Sequence, residues 1–211
     1  LIVGFAPGST TDLVGRIVAD GLRAQFGKPF IVENRPGANG MLAAEAVARA
    51  EPDGHTLLVA NTSSITVNPL IYKNLRYDVA KDFTPITTVI ALPMVLMVNT
   101  QNPKTADVRT VKDLAALAKS QPGGLTYGSG GNGNLLHLAG AQLSRLFGMP
   151  TTHVPYKGAA LMQTALLGKE IDFAFDTLAA MPHVRAGTLR PLLVTAAERW
   201  PDLPDVPSVS D

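Results

Sequence analysis

The chain has 211 residues, of which 46% are hydrophobic and 17% are charged, a length that predicts one large domain or two small ones. Lys and Arg number 18 against 17 Asp and Glu, so no excess charge is available to recruit nucleic acid or an anionic membrane. The absence of cysteine excludes disulfides, thiolate metal ligands and a cysteine nucleophile. No apolar run reaches the roughly 18 residues that a transmembrane helix needs.

Strand-like and helix-like segments alternate along the first half of the chain. Short apolar runs predict strands at residues 1–6, 30–32 and 56–60, and helical spacing predicts helices at 12–26 and 41–50. The first helix is expected to present one apolar stripe, formed by Leu13, Val14, Ile17, Val18, Leu22 and Phe26. A long apolar run at 89–98 is interpreted as a buried strand.

The same alternation resumes beyond Pro103. A capping box at residues 110–113 begins a helix that extends to about Ser120. Strands are predicted at 125–127, 152–154, 171–175 and 190–195, and helices at 135–147 and 158–167. This alternation predicts an α/β fold with largely parallel strands. The polar, proline-containing stretch at 99–105 is the predicted link between two lobes.

Two glycine-rich turns stand out, at residues 5–12 and 127–134. Each follows a strand-like run and opens a segment with helical spacing. Backbone N–H groups at a helix start are free to donate, and the helix dipole attracts an anion to them. Ligands of α/β sheets bind beyond the carboxyl ends of the strands, where both turns lie. The pair of turns therefore predicts a ligand that is held from two sides.

The second turn matches the dinucleotide fingerprint G-x-G-x-x-G from Gly128 to Gly133, but the wider pattern is incomplete. That pattern needs an acidic residue about 20 positions later, whereas the first acid here is Glu170. An anion-accepting turn for another ligand is therefore favoured, with a purely structural turn as the alternative. Tyr127 stands where a nucleophile elbow needs glycine, and the four histidines lack the spacing of a metal site.

Short motifs in a fixed order extend over essentially all of the chain. They occupy residues 5–12, 30–40, 52–58, 81–85, 125–133, 153–158 and 203–208, and include N-R-P-G-A-x-G and P-D-G-x-T-L-L. The ordered set resembles the tripartite tricarboxylate transporter substrate-binding proteins, also called Bug receptors. One departure is Ser9, which follows Gly8 where the family usually has a second glycine. This difference leaves open a ligand unlike those of typical relatives.

The resemblance implies a two-lobed α/β fold of the periplasmic-binding-protein kind (Venus flytrap, type II) with a ligand cleft between the lobes. Lobe one would comprise residues 1–98 plus 192–211 and be incomplete at its C-terminus, and lobe two would comprise residues 99–191. The resemblance further implies an exported, periplasmic receptor, here without its leader. It would bind a small organic acid and deliver it to integral membrane permease subunits. A monomer with no cofactor, no metal and no nucleic acid is expected.

The candidate ligand-binding residues belong to both turns and to the strand ends beside them. The set comprises Phe5, Ala6, Gly8, Ser9, Thr10, Asp12, Thr62 and Ser63 in lobe one, and Ser129, Gly130, Asn132, His137 and Asp176 in lobe two. Amides and hydroxyls would hold the acid, and Phe5 with Ala6 would form an apolar wall. Asp12 and Asp176 are alternatively helix caps, and His137 is alternatively a packing residue.

Two other functional classes stay open at this point. A ligand-sensing module of a signalling system would share the architecture, and an α/β enzyme would share the alternation of strands and helices. No usual combination of nucleophile, base or metal is found in the sequence, so a non-enzymatic receptor is the favoured interpretation. The ligand itself could be a dicarboxylate, a tricarboxylate, an aromatic acid, an amino acid or an amide.

Overall fold

The computed structural model describes the backbone of residues 1–211 and every side chain except that of Leu178. The chain forms two compact units. The first unit consists of Leu1–Ile90 with Gly133–Leu135, and the second consists of Ala91–Asn132 with Leu136–Asp211. Within the described part of the chain, no helix is both long and apolar enough to cross a membrane.

The first unit is built on a three-stranded parallel sheet with the strand order β2-β1-β3. The strands are β1 (Ile2–Val3), β2 (Glu33–Asn34) and β3 (Leu58–Val59). Ile2 pairs with Glu33 on one side and with Leu58 on the other. The first and third predicted strands are therefore neighbours in the sheet, whereas the second strand lies just beyond the predicted range 30–32.

The helices of the first unit connect these strands and follow the last of them. They are α1 (Thr10–Phe26), α2 (Met41–Ala48), α3 (Asn68–Ile71) and α4 (Val79–Asp82), with a 3-10 turn at Ala38–Gly40 and a π-helical turn at Ser63–Val67. Ser9 is the N-cap of α1, where its Oγ accepts a hydrogen bond from Asp12 N–H at 3.3 Å. Gly27 ends α1 in the left-handed conformation, with φ of 64°.

The buried face of α1 differs from the predicted apolar stripe. Three members of that stripe are largely exposed, namely Leu13 (51%), Ile17 (71%) and Phe26 (59%). The buried residues of the helix are Asp12, Gly15 and Ala19. The cause is close packing, because a Cβ at Gly15 would lie 3.0 Å from Val3 Cγ2 and 3.6 Å from Val59 Cγ2. The helix therefore lies against the sheet through its small residues.

The second unit is built on a five-stranded mixed sheet with the strand order β6-β5-β7-β4-β8. The strands are β4 (Val95–Asn99), β5 (Leu125–Ser129), β6 (Thr151–Pro155), β7 (Phe173–Asp176) and β8 (Leu189–Val194). Its helices are α5 (Val111–Ser120), α6 (Leu135–Phe147), α7 (Ala159–Leu167) and α8 (Met181–Arg185), although Leu135 itself belongs to the first unit. Strands β5, β6 and β7 run parallel, as predicted, whereas β4 is antiparallel to both of its neighbours.

The division of the chain differs from the predicted lobes at two places. Strand β4 lies inside the second sheet with all five of its residues buried, so residues 91–98 belong to the second unit. Residues 192–211 also belong there, because β8 pairs with β4 and Val194 N–H donates to Pro207 O at 2.9 Å. The polar stretch after β4 is not a solvated link, since the buried Asn99 side chain donates to the carbonyl oxygens of Leu166 and Leu167.

Candidate functional site

The first glycine-rich turn connects β1 to α1 in the first unit. Ala6 and Gly8 are exposed at this turn, while Phe5, Ser9 and Thr10 are half-buried. Ser9 N–H donates to Ala6 O at 3.1 Å, and Gly8 adopts a φ of 81°, a conformation that favours glycine. The chain is thus bent tightly where the strand ends and the helix begins, as the sequence predicts.

The Asp12 carboxylate holds this turn in place through hydrogen bonds. It is 1% exposed and accepts hydrogen bonds from Gly8 N–H at 2.9 Å, Arg16 Nε at 3.0 Å and Asn34 Nδ2 at 2.8 Å. Asn34 Nδ2 also donates to Phe5 O at 3.0 Å. Burial opposes the charged form, but these hydrogen bonds and the Arg16 charge prevail and lower the pKa of Asp12. The Gly8 N–H, which the sequence predicts to be free for a ligand, is therefore hydrogen-bonded to the Asp12 carboxylate. The N-cap of α1 is Ser9 rather than Asp12.

Replacing Asp12 with alanine is expected to lower the free energy of unfolding by about 2 kcal/mol, because three donors lose their acceptor. Urea denaturation measures this loss. Asp20→Ala is the matched control, since Asp20 lies on the same helix and its exposed carboxylate pairs with exposed Arg23 at 3.1 Å. The control is expected to change stability little. Equal losses in the two variants would contradict the bracing role of Asp12.

The loop after β3 comes beside the loop after β1, as expected for neighbouring parallel strands. A Cβ at Gly40 would lie 3.1 Å from Ser64 Cβ and 3.3 Å from the Phe5 ring, so both loops approach the same glycine. Thr62 is exposed, whereas Ser63 is buried and its Oγ accepts a hydrogen bond from Leu135 N–H at 3.1 Å.

The second glycine-rich turn follows β5 in the second unit, and the Ser129 hydroxyl organises it. Ser129 is fully buried, and its Oγ lies 2.7 Å from His153 Nε2. The same oxygen accepts from Gly131 N–H at 3.1 Å and lies 3.0 Å from Gly131 O. The loop after β6 also holds the turn, because Tyr156 N–H donates to Ser129 O and Gly158 N–H donates to Gly130 O. Gly130 is half-buried and Asn132 is exposed at the outer side of this turn.

A stack of rings lies beside Ser129. The His153 and His137 rings are nearly parallel, with centroids 3.9 Å apart, and Tyr127 lies 5.0 Å from His153 and 5.5 Å from Phe173. Helix α6 approaches Tyr127 through Gly140, where a Cβ would lie 2.3 Å from the ring. Burial lowers the pKa of both histidines, and together with neighbouring His137 it lowers that of His153 to about 4. Both imidazoles are therefore neutral at pH 7, and His137 belongs to this stack.

Asp176 ends β7, the strand beside β5, and is 1% exposed. Its Oδ1 accepts from Thr177 N–H at 2.7 Å, and its Oδ2 accepts from Gln163 Nε2 at 3.2 Å. Burial outweighs these hydrogen bonds and raises the pKa of Asp176 to about 7. Asp176 and Ser129 thus stand at the carboxyl ends of adjacent parallel strands.

Sequence reasoning missed the partners that hold these groups in place. The sequence shows His153 and Asn34 only as members of the family motifs, with no role for either side chain, and it does not single out Gln163. The signal that could have found His153 is the pairing of β5 with β6. His153 is opposite Tyr127, and two residues further on these strands end at Ser129 and Pro155. Among the described side chains, no three His, Cys, Asp or Glu residues are grouped so that they could hold a metal ion.

The fold defines an α/β protein of the periplasmic-binding class. Over 99% of the chain, the structure resembles the R. palustris protein Rpa4515 with adipate, with a TM-score of 0.92, 36% identity and 69% of that chain covered. It also resembles MatC from Rhodopseudomonas palustris with bound malate, with a TM-score of 0.88 and 32% identity, over 99% of this chain and 70% of that one.

Residues 14–211 match the family described as tripartite tricarboxylate transporter family receptor, TctC, and the chain belongs to that family. A UPF0065 protein of Bordetella bronchiseptica is 34% identical over 212 residues, which are 100% of this chain and 62% of the relative. The chain spans about three-fifths of the length of the curated relatives it matches first. The family resemblance stated from the sequence motifs is confirmed.

Proposed function

We propose that the protein is a periplasmic solute receptor that binds a small organic carboxylate and delivers it to a membrane permease of the tripartite tricarboxylate transporter type. The observation that carries the proposal is the pair of hydrogen-bonding turns, each at the carboxyl end of a parallel strand. Family membership supports it, as do the adipate and malate in the two similar Rhodopseudomonas structures. Export and permease delivery are parts of the same proposal.

Neutral donors suit such a ligand at both turns. At the first turn the charges of Asp12 and Arg16 offset each other at 3.0 Å, and at the second both histidines of the stack are uncharged. An incoming carboxylate would therefore be held by dipoles, which lose less hydration energy on burial than a cationic side chain. Water can fill the space that a shorter or longer diacid leaves. One scaffold could then accept several acids.

The contact residues we propose are those at the outer side of each turn. In the first unit they are Phe5, Ala6, Ser9, Thr10 and Thr62, and in the second unit Gly130 and Asn132. The buried hydroxyls of Ser63 and Ser129 are proposed to hold the loops that carry these contacts. Asp12, His137 and Asp176 are proposed to position the contact residues rather than to touch the ligand, because each is already held by a partner within its own unit. Gly8 contributes its backbone conformation.

Calorimetric titration with adipate and with malate tests the proposal. At least one acid is expected to bind, and Thr62→Ala and Asn132→Ala are each expected to weaken binding about tenfold by removing one hydrogen bond. Thr66→Ala and Asn74→Ala are the matched controls, since both are exposed residues of the same type outside the proposed set. Failure of every small organic acid to bind would overturn the receptor assignment, and equal losses in the controls would overturn the residue assignment.

The enzyme alternative meets a specific obstacle at Ser129. The Ser129–His153 pair has the distance of a nucleophile and its base, but the serine is fully buried and its hydroxyl is engaged with Gly131. We therefore propose that this pair supports the turn and that the protein is not an enzyme. Ester hydrolysis that Ser129→Ala abolishes would contradict this.

A further inference from the structure

The fully buried Ser129 and the half-buried His153 are in hydrogen-bond contact in the second unit. The Ser129 hydroxyl is shared among His153 Nε2 at 2.7 Å, Gly131 N–H at 3.1 Å and Gly131 O at 3.0 Å. A hydroxyl has one donor and two acceptor positions, and these three neighbours use all of them. The imidazole on β6 is therefore linked through one oxygen atom to the peptide groups of the turn.

The surrounding rings keep the His153 imidazole in place. The titratable groups that contact it are His137 on α6 and Tyr127 on β5, and Phe173 on β7 continues the stack behind Tyr127. Rotation of His153 would require the neighbouring rings to move, and Gly140 allows α6, the helix that carries His137, to pack closely against Tyr127. The direction of the His153 Nε2 atom is thus determined by packing.

We propose that His153 is a positioning residue of the second glycine-rich turn, whose Nε2 atom holds the Ser129 hydroxyl and, through it, the Gly131 peptide in the shape that receives the acid. The inference deepens the proposed function and rests on it for the identity of the ligand. It also explains why Ser129, which is fully buried, matters for a site at the outer side of the turn.

Two substitutions separate positioning from simple packing. His153→Gln keeps a hydrogen-bonding group near the Nε2 position but removes the ring, whereas His153→Phe keeps the ring and removes the hydrogen bond. Affinity for adipate or malate, measured by calorimetry, is expected to fall at least about tenfold in His153→Phe and to be largely retained in His153→Gln. The opposite order would overturn the proposal, because it would mean that only the ring is needed.

A double-mutant cycle with Ser129→Ala tests whether the two residues act as one. The double variant Ser129→Ala/His153→Phe is expected to bind no more weakly than the weaker single variant. Additive losses would contradict a shared hydroxyl. His183→Gln is the matched control, since it changes a half-buried histidine on α8 of the same unit and is expected to leave affinity unchanged.

The amide NMR signals of Gly130 and Gly131 without ligand provide a readout independent of the acid. They are expected to shift in His153→Phe and to stay near their wild-type positions in His153→Gln. If no acid binds the wild type but these shifts occur, the proposed function fails and the positioning role stands. If an acid binds while neither affinity nor shifts respond to His153→Phe, the positioning role fails and the receptor function stands.

Discussion

Replacing Gly124 with alanine is expected to lower the free energy of unfolding by about 3 kcal/mol, combining overpacking against backbone with a positive φ. Gly124 has φ of 75°, and a Cβ there would lie 2.0 Å from Pro150 O. That oxygen accepts the hydrogen bond from Leu125 N–H at 3.1 Å that begins the pairing of β5 with β6. Because backbone cannot move aside as a flexible side chain does, the two strands would have to separate at this end.

Gly123 is the matched control for this prediction. It is the preceding residue and also has a positive φ of 83°, but a Cβ there would meet no atom within 4 Å. Gly123→Ala is therefore expected to cost only about 1 kcal/mol, which is the strain of the left-handed conformation alone. Urea denaturation followed by circular dichroism measures both variants. If both lose the same stability, the contact with Pro150 is not responsible.

The second large effect is expected from pH acting on Asp176. Its pKa is raised from 3.8 to about 7 by burial, so the folded state holds a proton that the unfolded state releases near pH 4. The stabilisation from this protonated form is fully present below pH 4 and is lost as pH rises towards 7. By linkage the loss amounts to about 4 kcal/mol over that range. Asp176→Asn, which does not ionise, should lack this loss.

Unfolding of the wild type and Asp176→Asn at pH 4.5 and pH 8 checks the prediction. The difference between the two proteins isolates Asp176, because the other ionisable groups are common to both. The variant is expected to gain relative to the wild type by a few kcal/mol between the two pH values. Gln163 can turn its side-chain amide to accept from the NH₂ group that the substitution introduces, which keeps the buried pair hydrogen-bonded. A constant difference at both pH values would contradict the raised pKa.

Local signals in the sequence predicted the alternation of strands with the longer helices and the places of both turns, but not the short helices α3, α4 and α8. Apolar runs located β1 and β3, and the capping box at Thr110 is present with Asp113 bonded back to the Thr110 N–H. These features depend on neighbours in the chain, and such neighbours are visible in the sequence. The same holds for the two loops that meet at Gly40, since parallel strands bring their carboxyl ends together.

Features that depend on distant partners could not be predicted in this way. The apolar stripe of α1 was misjudged because Gly15, which lacks a side chain, decides which face of the helix lies against Val3. The polar residue Asn99 indicated a linker but is buried, since α7 supplies two carbonyl acceptors for its amide. The role of His153 likewise depends on a partner 24 positions away in the chain.

The Asp12 carboxylate, which holds the first glycine-rich turn, affects which substitutions that turn can tolerate. The N-terminus of a helix usually depends on solvent or a bound anion to balance its dipole, but here the protein's own Asp12 carboxylate lies in the first turn and does so. The bracing of the turn therefore does not require a bound molecule. Exchanges at an exposed position of the turn, such as Ala6, would leave this bracing intact, whereas an exchange of Ser9 would also remove the N-cap of α1.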